Sequence, residues 1–315
     1  MKTPKYLSIL PLAVIGALYG AAPAWATPLL GSDLASFTVL GAEVVTNVPT
    51  VTVVGNVGVW SSGGANAITG FLSSPGVAVS DPQVTGGLVH AGTAVAQSAQ
   101  AQLTTAIINL GSLGSGITLV SPDLTGLTLI PGVYTVSAGT TNLSGALTLD
   151  GQGNANAAWI FQMESTLITS PNSVVSMINT GSGAGVYWNV RSSATIDTNT
   201  TFLGNILALT SISMKTTATD LCGRALASTG AVTLEQNKLS GICTGSVAGN
   251  GALSGGLDVT TTPGGVTQVA FLPNSPVNGG GTVPEPATLP LMGLGLLGLG
   301  YSLRRRTLEI NGLAR

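Results

Sequence analysis

Side chains that commonly perform catalysis are few and scattered in this chain. His90 is the only histidine, and it begins a segment with helical spacing, which indicates a structural role. General acid and base work, or the lyase chemistry of some β-helices, needs clustered carboxylates, yet the 12 aspartates and glutamates show no paired spacing. The sequence also lacks a G-x-S-x-G turn, an H-E-x-x-H helix and any other metal motif. We therefore expect no enzyme, no metal and no cofactor, although carboxylates far apart in sequence can meet in space.

Composition indicates a folded protein with a nearly uncharged surface. Charged residues make up 7% of the chain, apolar residues make up 44%, and glycine contributes 44 of 315 residues. A disordered chain lacks such apolar content. A net charge of −2 without a basic stripe argues against nucleic-acid binding.

The N-terminus has the order of a secretory signal. Lys2 and Lys5 precede an apolar stretch over about 6–22, and Ala24-Trp25-Ala26 is a small-x-small site. We expect signal peptidase to cleave after Ala26 and to remove residues 1–26. An uncleaved membrane anchor is the alternative.

The C-terminus combines three parts in order: Pro284-Glu285-Pro286, an apolar run from Leu289 to Leu303, and Arg304-Arg305-Arg306. The run is near the lower limit of about 17 residues for a spanning helix, and the arginines should stay in the cytoplasm. A generic tail anchor needs only these two parts, but with Pro-Glu-Pro the segment 283–306 resembles the PEP-CTERM sorting signal of Gram-negative bacteria. The resemblance implies export across the inner membrane, transient anchoring by this helix with residues 307–315 as a cytoplasmic tail, and cleavage by an exosortase. The protein would then reach the cell surface or the medium.

The body between these ends contains an internal repeat. Segments that start at Trp159, Val186, Ile206 and Arg224 each contain three short β-prone runs separated by turns of Gly, Asn, Ser or Thr. Three strands in a period of about 20 residues describe one coil of a three-sided β-helix, with stacked coils about 4.8 Å apart.

The second strand of each coil has an apolar centre and polar neighbours. Because strand side chains alternate, the centres should fill the core: Leu167, Ile196, Ile212 and Val232. The outward positions are candidate contact residues: Asn142, Ser144, Thr166, Ile168, Thr195, Asp197, Ser211, Ser213, Ala231 and Thr233. Three of these ten are threonine and Asp197 puts a charge in the middle, so a polar face that only keeps the protein soluble is an alternative.

Cys222 and Cys243 end the third strands of consecutive coils in this arrangement. Stacking would bring their Cα atoms within about 4.4–6.8 Å, the range found in disulfides, and disulfides are expected in exported chains. We predict a coil-to-coil bridge, with two buried free thiols as the alternative.

Two segments depart from the β pattern. Between His90 and Leu110 the apolar residues recur at steps of three and four, which predicts a helix over about 90–110 along one side of the solenoid. After Cys243 the chain is rich in Gly, Ser, Thr and Pro, which predicts a linker over 244–282.

Several stretches of the body together carry a family pattern: Phe37-Thr38-Val39-Leu40-Gly41, Gly55-Asn56-Val57-Gly58-Val59, His90-Ala91-Gly92, Leu127-Thr128-Leu129-Ile130-Pro131-Gly132-Val133-Tyr134, Leu147-Thr148-Leu149-Asp150, Trp159-Ile160-Phe161-Gln162, Gly204-Asn205-Ile206-Leu207-Ala208 and Gly223-Arg224-Ala225-Leu226-Ala227. From about Leu30 to Cys243 the chain resembles the DUF3494 ice-binding protein family. The resemblance implies an all-β fold with one long helix over 27–243, namely a discontinuous right-handed β-helix with the helix packed alongside. It also implies binding to an ice crystal surface through one flat face, which we assign to the second strands.

A second hypothesis is a structural or adhesive protein of the extracellular polysaccharide matrix without ice activity. The sorting signal supports it, because proteins that carry this signal often accompany exopolysaccharide. Under either hypothesis we expect a monomer that meets the membrane only through its sorting tail.

Overall fold

The computed structural model describes residues 28–61, 67–248, 251–261 and 267–277. The predicted signal peptide, the Pro-Glu-Pro motif, the apolar run and its arginines lie outside these ranges. Within them, no helix is long and apolar enough to cross a membrane.

Short strands dominate the described residues, as the many β-prone runs between turn residues predict. Two helices accompany them, α1 at Ser32–Ser36 and α2 at Ala94–Ser112. The strands in chain order are β1 Phe37–Gly41, β2 Val44–Val48, β3 Thr52–Val54, β4 Asn56–Val59, β5 Ala67–Thr69, β6 Ala78–Val79, β7 Val84–Thr85, β8 Val89–Ala91, β9 Ile117–Thr118, β10 Thr128–Leu129, β11 Gly132–Val136, β12 Ala146–Asn154, β13 Ala158–Met163, β14 Leu167–Ile168, β15 Val174–Thr180, β16 Gly185–Val190, β17 Ala194–Ile196, β18 Thr201–Ala208, β19 Ile212–Met214, β20 Thr219–Ala227, β21 Val232–Glu235, β22 Lys238–Ser240, β23 Leu257–Thr261 and β24 Thr267–Phe271.

Most of these strands pair in parallel and form three faces of a solenoid. Face A has the order β8-β4-β1-β20-β18-β16-β13-β11-β9, with β6 antiparallel at its edge. Face B has the order β14-β17-β19-β21-β2-β5. Face C has the order β10-β12-β15-β18-β20-β22-β3-β7, and the long strands β18 and β20 bend so that they contribute to both face A and face C. The predicted three-sided solenoid is confirmed.

The order of coils along the solenoid differs from their order in the chain. β1 pairs in parallel with β20, with Val39 opposite Ala225, so the first coil stacks on the last. After β8 the chain enters α2 and emerges at β9, which lies at the other end of face A. The solenoid is therefore discontinuous, as the family resemblance implied.

Helix α2 is attached to face A by an apolar stripe. The stripe consists of Ala96, Ala99, Leu103, Ala106 and Leu110. It packs against outward apolar residues of successive face A strands: Leu40, Leu226, Leu207, Tyr187 and Ile160. The Thr93 side chain accepts a hydrogen bond from the Ala96 amide at 3.2 Å, which caps the helix N-terminus. The helix therefore begins after His90, where the sequence placed its start, and continues to Ser112.

Aromatic rings are stacked inside the solenoid from coil to coil. The ring centroids of Phe161 and Trp188 lie 4.0 Å apart, those of Trp188 and Phe202 lie 5.0 Å apart, and those of Tyr134 and Phe161 lie 5.9 Å apart. Such pairs add to the stability gained from burying the rings, so the interior holds neighbouring coils at a fixed spacing.

A disulfide joins Cys222 to Cys243, with their Cα atoms 4.6 Å apart. Cys222 lies where β20 passes from face C to face A, and Cys243 follows β22, which pairs with β20. The bridge therefore links adjacent coils.

The segment after Cys243 is not simply the linker predicted over 244–282. Residues Leu257–Thr261 and Thr267–Phe271 form an antiparallel hairpin, and Leu257 and Val259 are buried in the cluster that contains the α2 stripe. Composition was misleading here because two apolar side chains on one face of a short strand are enough to dock it on an existing apolar surface.

Arg224 holds two chain segments to the solenoid. Its guanidinium is buried, and Nη1 donates to Asn205 Oδ1 at 2.7 Å and to the Gly251 carbonyl at 3.0 Å. Nη2 donates to the Ala35 carbonyl at 2.7 Å. Burial lowers the pKa of Arg224 to about 10, so the side chain remains a cation at neutral pH. One charged side chain thus ties the segment before β1 and the segment before β23 to face A.

Candidate functional site

Face B presents one continuous row of small outward side chains, here called the central column. Parallel pairing places one residue from each of its strands in direct register: Ile168, Thr195, Ser213, Thr233, Thr46 and Thr69. The residue before each member points inward and is buried: Leu167, Ala194, Ile212, Val232, Val45 and Ile68. Neighbouring members are therefore spaced by the distance between paired strands, about 4.8 Å.

The hydroxyl groups of the central column make no hydrogen bond to other groups in the described part of the chain. The neighbouring serines differ, because the Ser193 hydroxyl lies 2.7 Å from that of Thr210 and the Ser211 hydroxyl accepts from the Ala231 amide at 3.1 Å. Threonine has a stiff, β-branched side chain. The column thus offers fixed methyl and hydroxyl groups whose remaining hydrogen-bond partner is water.

Three charged residues of face B, Asp197, Lys215 and Glu235, stand along one edge and not in its middle, and Glu43 stands at the opposite edge, just before β2. Lys215 and Glu235 form an ion pair of 3.5 Å at their shared edge. Asp197 follows β17 in the position equivalent to Lys215, because Ile196 pairs with Met214. The prediction of a charge in the middle of the array was wrong, since the residue in register with Leu167 is Ala194 and not Ile196.

The same edge is closed by a row of left-handed turns. Asn172, Asn199, Thr217 and Gln236 have φ angles of 62°, 57°, 60° and 55°. Asparagine visits this conformation readily, whereas a β-branched residue such as Thr217 rarely does. The amide of each residue donates to a carbonyl of the neighbouring coil. Repetition of one turn at each coil gives face B a straight boundary toward face C.

Asn142 and Ser144 close the end of the array beyond β14. Asn142 is fully buried, contrary to the predicted outward orientation, because its Oδ1 accepts from the Ile168 amide at 3.0 Å and its Nδ2 donates to the Pro122 carbonyl. Ser144 is exposed and donates to Asp123 at 2.5 Å. Partial burial raises the pKa of Asp123, but hydrogen bonds from Ser144 and Thr125 outweigh it, so the net pKa is below its ordinary value.

The remaining predicted residues, Thr166 and Ala231, flank the central column next to Leu167 and Val232, and both are half-buried. Ser193 and Ser211 precede inward residues in the same way. Three members of face B were missed by sequence reasoning: Thr46, Thr69 and Ser193. Thr46 follows the apolar pair Val44-Val45, so strand alternation would have placed it beside an inward residue.

Face C also carries threonines, but its rows are interrupted. Thr201, Thr219, Lys238 and Thr52 are in register there, so an exposed lysine stands inside the row. In another row the Thr148 and Ser176 hydroxyls lie 3.4 Å apart, and Ser176 donates to the Leu147 carbonyl. Face B is thus the more uniform surface.

The groups with catalytic potential do not converge in the described residues. His90 is buried, its Nδ1 lies 3.1 Å from the Thr93 hydroxyl, and its ring makes an edge contact with Phe37. Burial lowers the pKa of His90. In the described ranges, no three residues of the types His, Cys, Asp and Glu are grouped so that they could hold a metal ion.

A family model described as ice-binding-like matches residues 39–240. The chain belongs to this family. Its relatives include an ice-binding protein of Nostoc sp. (strain HG1), 41% identical over 76% of this chain and 83% of the relative. Ice-binding protein K3-B1 of Typhula ishikariensis is 31% identical over 65% of this chain and 86% of the relative.

Solved structures agree with this family assignment. The ice-binding protein from an Antarctic biological consortium has a TM-score of 0.59 at 32% identity, over 74% of this chain and 96% of that chain. The DUF3494 domain of Shewanella frigidimarina ice-binding protein 1 has a TM-score of 0.59 at 28% identity, over 68% and 97%. A PEP-CTERM protein-sorting motif matches residues 282–306. Both predicted resemblances are confirmed.

Proposed function

We propose that this protein binds ice through face B. The observation that carries the proposal is the row of hydroxyls in the central column, which make no hydrogen bond to any other group of the described residues. These hydroxyls belong to Thr195, Ser213, Thr233, Thr46 and Thr69. The column contains no charged residue, and the ion pair of face B is confined to one edge. The names of the relatives, which are ice-binding proteins, support the same function.

The physical basis is a match between a rigid array and an ordered layer of water. Hydroxyls at a constant spacing hold water molecules at that spacing, and the adjacent methyl groups restrict how those waters orient. The array keeps its geometry because parallel hydrogen bonds, the stacked rings of Phe161 and Trp188, and buried residues such as Leu167 and Ile212 support it from within. No covalent step is required, so this function needs no catalyst, metal or cofactor.

The ends of the chain support an extracellular place of action. In this proposal signal peptidase cleaves after Ala26, and an exosortase cleaves near Pro284-Glu285-Pro286 after transient anchoring by the apolar run. The mature protein acts as a monomer at the surface of a Gram-negative cell or in the medium. Residues up to 271 belong to the working protein, because the hairpin of β23 and β24 packs with α2.

The test is the shape of single ice crystals grown just below the freezing point with the purified protein. Adsorption to defined crystal planes produces facets and a gap between the melting and freezing temperatures. Smooth discs at every protein concentration would overturn ice binding and favour the matrix role. Because truncation at Cys243 would remove the docked hairpin, the protein tested should extend through residue 277.

A further inference from the structure

A groove of about 500 Å³ lies between α2 and the corner where face A meets face B. Gln97, Gln100 and Thr104 of α2 form one wall, and Trp60 and Glu43 belong to the solenoid side. Trp60 follows β4, is half-buried, and packs against the apolar cluster under α2. None of these residues belongs to the central column, so the groove is a separate surface.

The amide of Gln100 indicates that the groove is built for a hydrogen-bonding ligand. Gln100 is 8% exposed, and its Nε2 donates to the Ala227 carbonyl at 3.0 Å. Its Oε1 has no partner among the described residues. A buried acceptor without a donor is destabilising. Because Oε1 is itself covered, a ligand hydroxyl can donate to it only after the amide turns toward the groove, and that hydrogen bond would remove the penalty.

The remaining lining defines the chemical class of that ligand. Gln97, Thr104 and Thr229 are exposed and offer amide and hydroxyl groups that both donate and accept. Trp60 supplies a large apolar surface beside them, as in pockets where an aromatic side chain provides contact and a few polar groups provide orientation. Among the described lining residues the only charged group is the Glu43 carboxylate, which disfavours an anionic ligand. A neutral sugar has both hydroxyls and an apolar C–H face.

We propose that this groove binds a neutral oligosaccharide segment of an extracellular polysaccharide. Trp60 contacts the apolar face of one sugar ring, Gln100 accepts from a sugar hydroxyl, and Gln97 and Thr104 contact the outer edge of the ring. The site would let a protein that holds ice on face B be retained by a carbohydrate on another surface. It does not depend on ice binding, because the two surfaces share no residue.

Trp60 provides a direct signal for binding. Trp159 and Trp188 are fully buried, so a ligand that changes tryptophan emission or protects it from acrylamide quenching must act on Trp60 among the described tryptophans. The probes are cellohexaose, maltohexaose and xylohexaose, with glucose as the single-ring comparison and oligogalacturonate as the anionic one. We expect at least one neutral oligosaccharide to shift and protect the emission, and oligogalacturonate to bind more weakly. The Trp60→Phe protein should lose the signal.

Two adjacent threonines give a matched pair of variants. Thr104 lines the groove and Thr105 does not, both are exposed, and each hydroxyl donates to the carbonyl four residues earlier at 3.1 Å. Thr104→Arg should weaken oligosaccharide binding by about tenfold or more, whereas Thr105→Arg should leave it unchanged, and both should leave crystal shaping unchanged. The proposal is overturned if no neutral oligosaccharide affects the emission up to the millimolar range, or if both variants bind equally well.

Discussion

Thr46 and Thr233 are direct partners across two parallel strands, although most of the chain separates them in sequence. Their pairing joins the N-terminal coils to the C-terminal coils within face B. It turns two short threonine groups into one column that runs from Ile168 to Thr69. The proposed ice-binding surface is therefore assembled from both ends of the folded body.

Thr195→Tyr should nearly abolish thermal hysteresis. A tyrosine ring at Thr195, between Ile168 and Ser213 in the central column, would lift the neighbouring hydroxyls away from the ice layer. The matched control is Thr201→Tyr, which changes an exposed threonine of the same coil on face C. Both proteins should unfold at the same temperature as the parent, as followed by circular dichroism. Undiminished hysteresis in Thr195→Tyr would place the ice contact on another face.

Thr46→Tyr should reduce hysteresis strongly as well, since Thr46 stands between Thr233 and Thr69 in the same column. Thr52→Tyr is its control, because Thr52 lies in the same coil on face C and is exposed. If the N-terminal coils serve only to cap the solenoid, the two variants will show equal hysteresis, and the surface will end at Thr233.

Loss of the disulfide should destabilise the solenoid without changing the ice-binding surface. The bridge closes a loop with a sequence separation of 21 residues, and a cross-link of this size contributes about 3 kcal/mol to the free energy of unfolding. Urea titration of the double variant Cys222→Ala and Cys243→Ala measures this loss. Thiol labelling of the parent should find no reactive thiol, native or denatured, until reductant is added. Two reactive thiols before reduction would contradict the bridge.

Asp220→Asn should stabilise the protein increasingly as pH rises from about 4 to about 8. Asp220 is fully buried, and burial raises its pKa from the ordinary 3.8 to about 8, against smaller opposing effects of backbone amides and Arg224. In that pH range the unfolded chain releases this proton and the folded chain keeps it, so the folded state loses stability as pH rises. The variant removes this dependence, and its gain at pH 8 relative to pH 4 should be about 2 kcal/mol or more.

Denaturant unfolding at several pH values measures the Asp220→Asn effect, with Asp150→Asn as control. Asp150 is half-buried, and hydrogen bonds from Gln152 and Asn179 lower its pKa. The Asp150 carboxylate therefore stabilises the folded state at neutral pH, and this stabilisation is lost as pH falls. Its pH dependence is opposite in sign to that of Asp220. A parallel response of the two variants would show that the burial of Asp220 is not the cause.

The repeat, the three-sided coil and the long helix could be predicted because each depends on local spacing. Alternation in runs such as Ser211-Ile212-Ser213 identifies the inward residue without any knowledge of its neighbours. Register is harder to predict. Ala194 and Ile196 both point inward, and a shift by two residues keeps every side chain on its own side of the strand. The sequence therefore identified Thr195 as outward-facing but misplaced Asp197 within the array.

The features that escaped prediction depend on distant contacts. Thr69 joins the central column only because β5 pairs with β2 and β2 with β21. Asn142 has the polarity of a surface residue, but it is buried because the Ile168 amide and the Pro122 carbonyl provide partners for its amide group. The hairpin of β23 and β24 forms where composition predicted a linker, because Leu257 and Val259 find apolar surface supplied by elements far away in sequence.

The pairing of β1 with β20 also sets an order of assembly. A chain that emerges N-terminus first contains β1 and β4 long before it contains residues 219–227. The first coils therefore cannot pair with β20 until most of the chain has been made. Contacts so distant in sequence slow folding. In the export proposed above this delay would be useful, because a chain that cannot close its solenoid early remains unfolded enough to pass through a translocation channel.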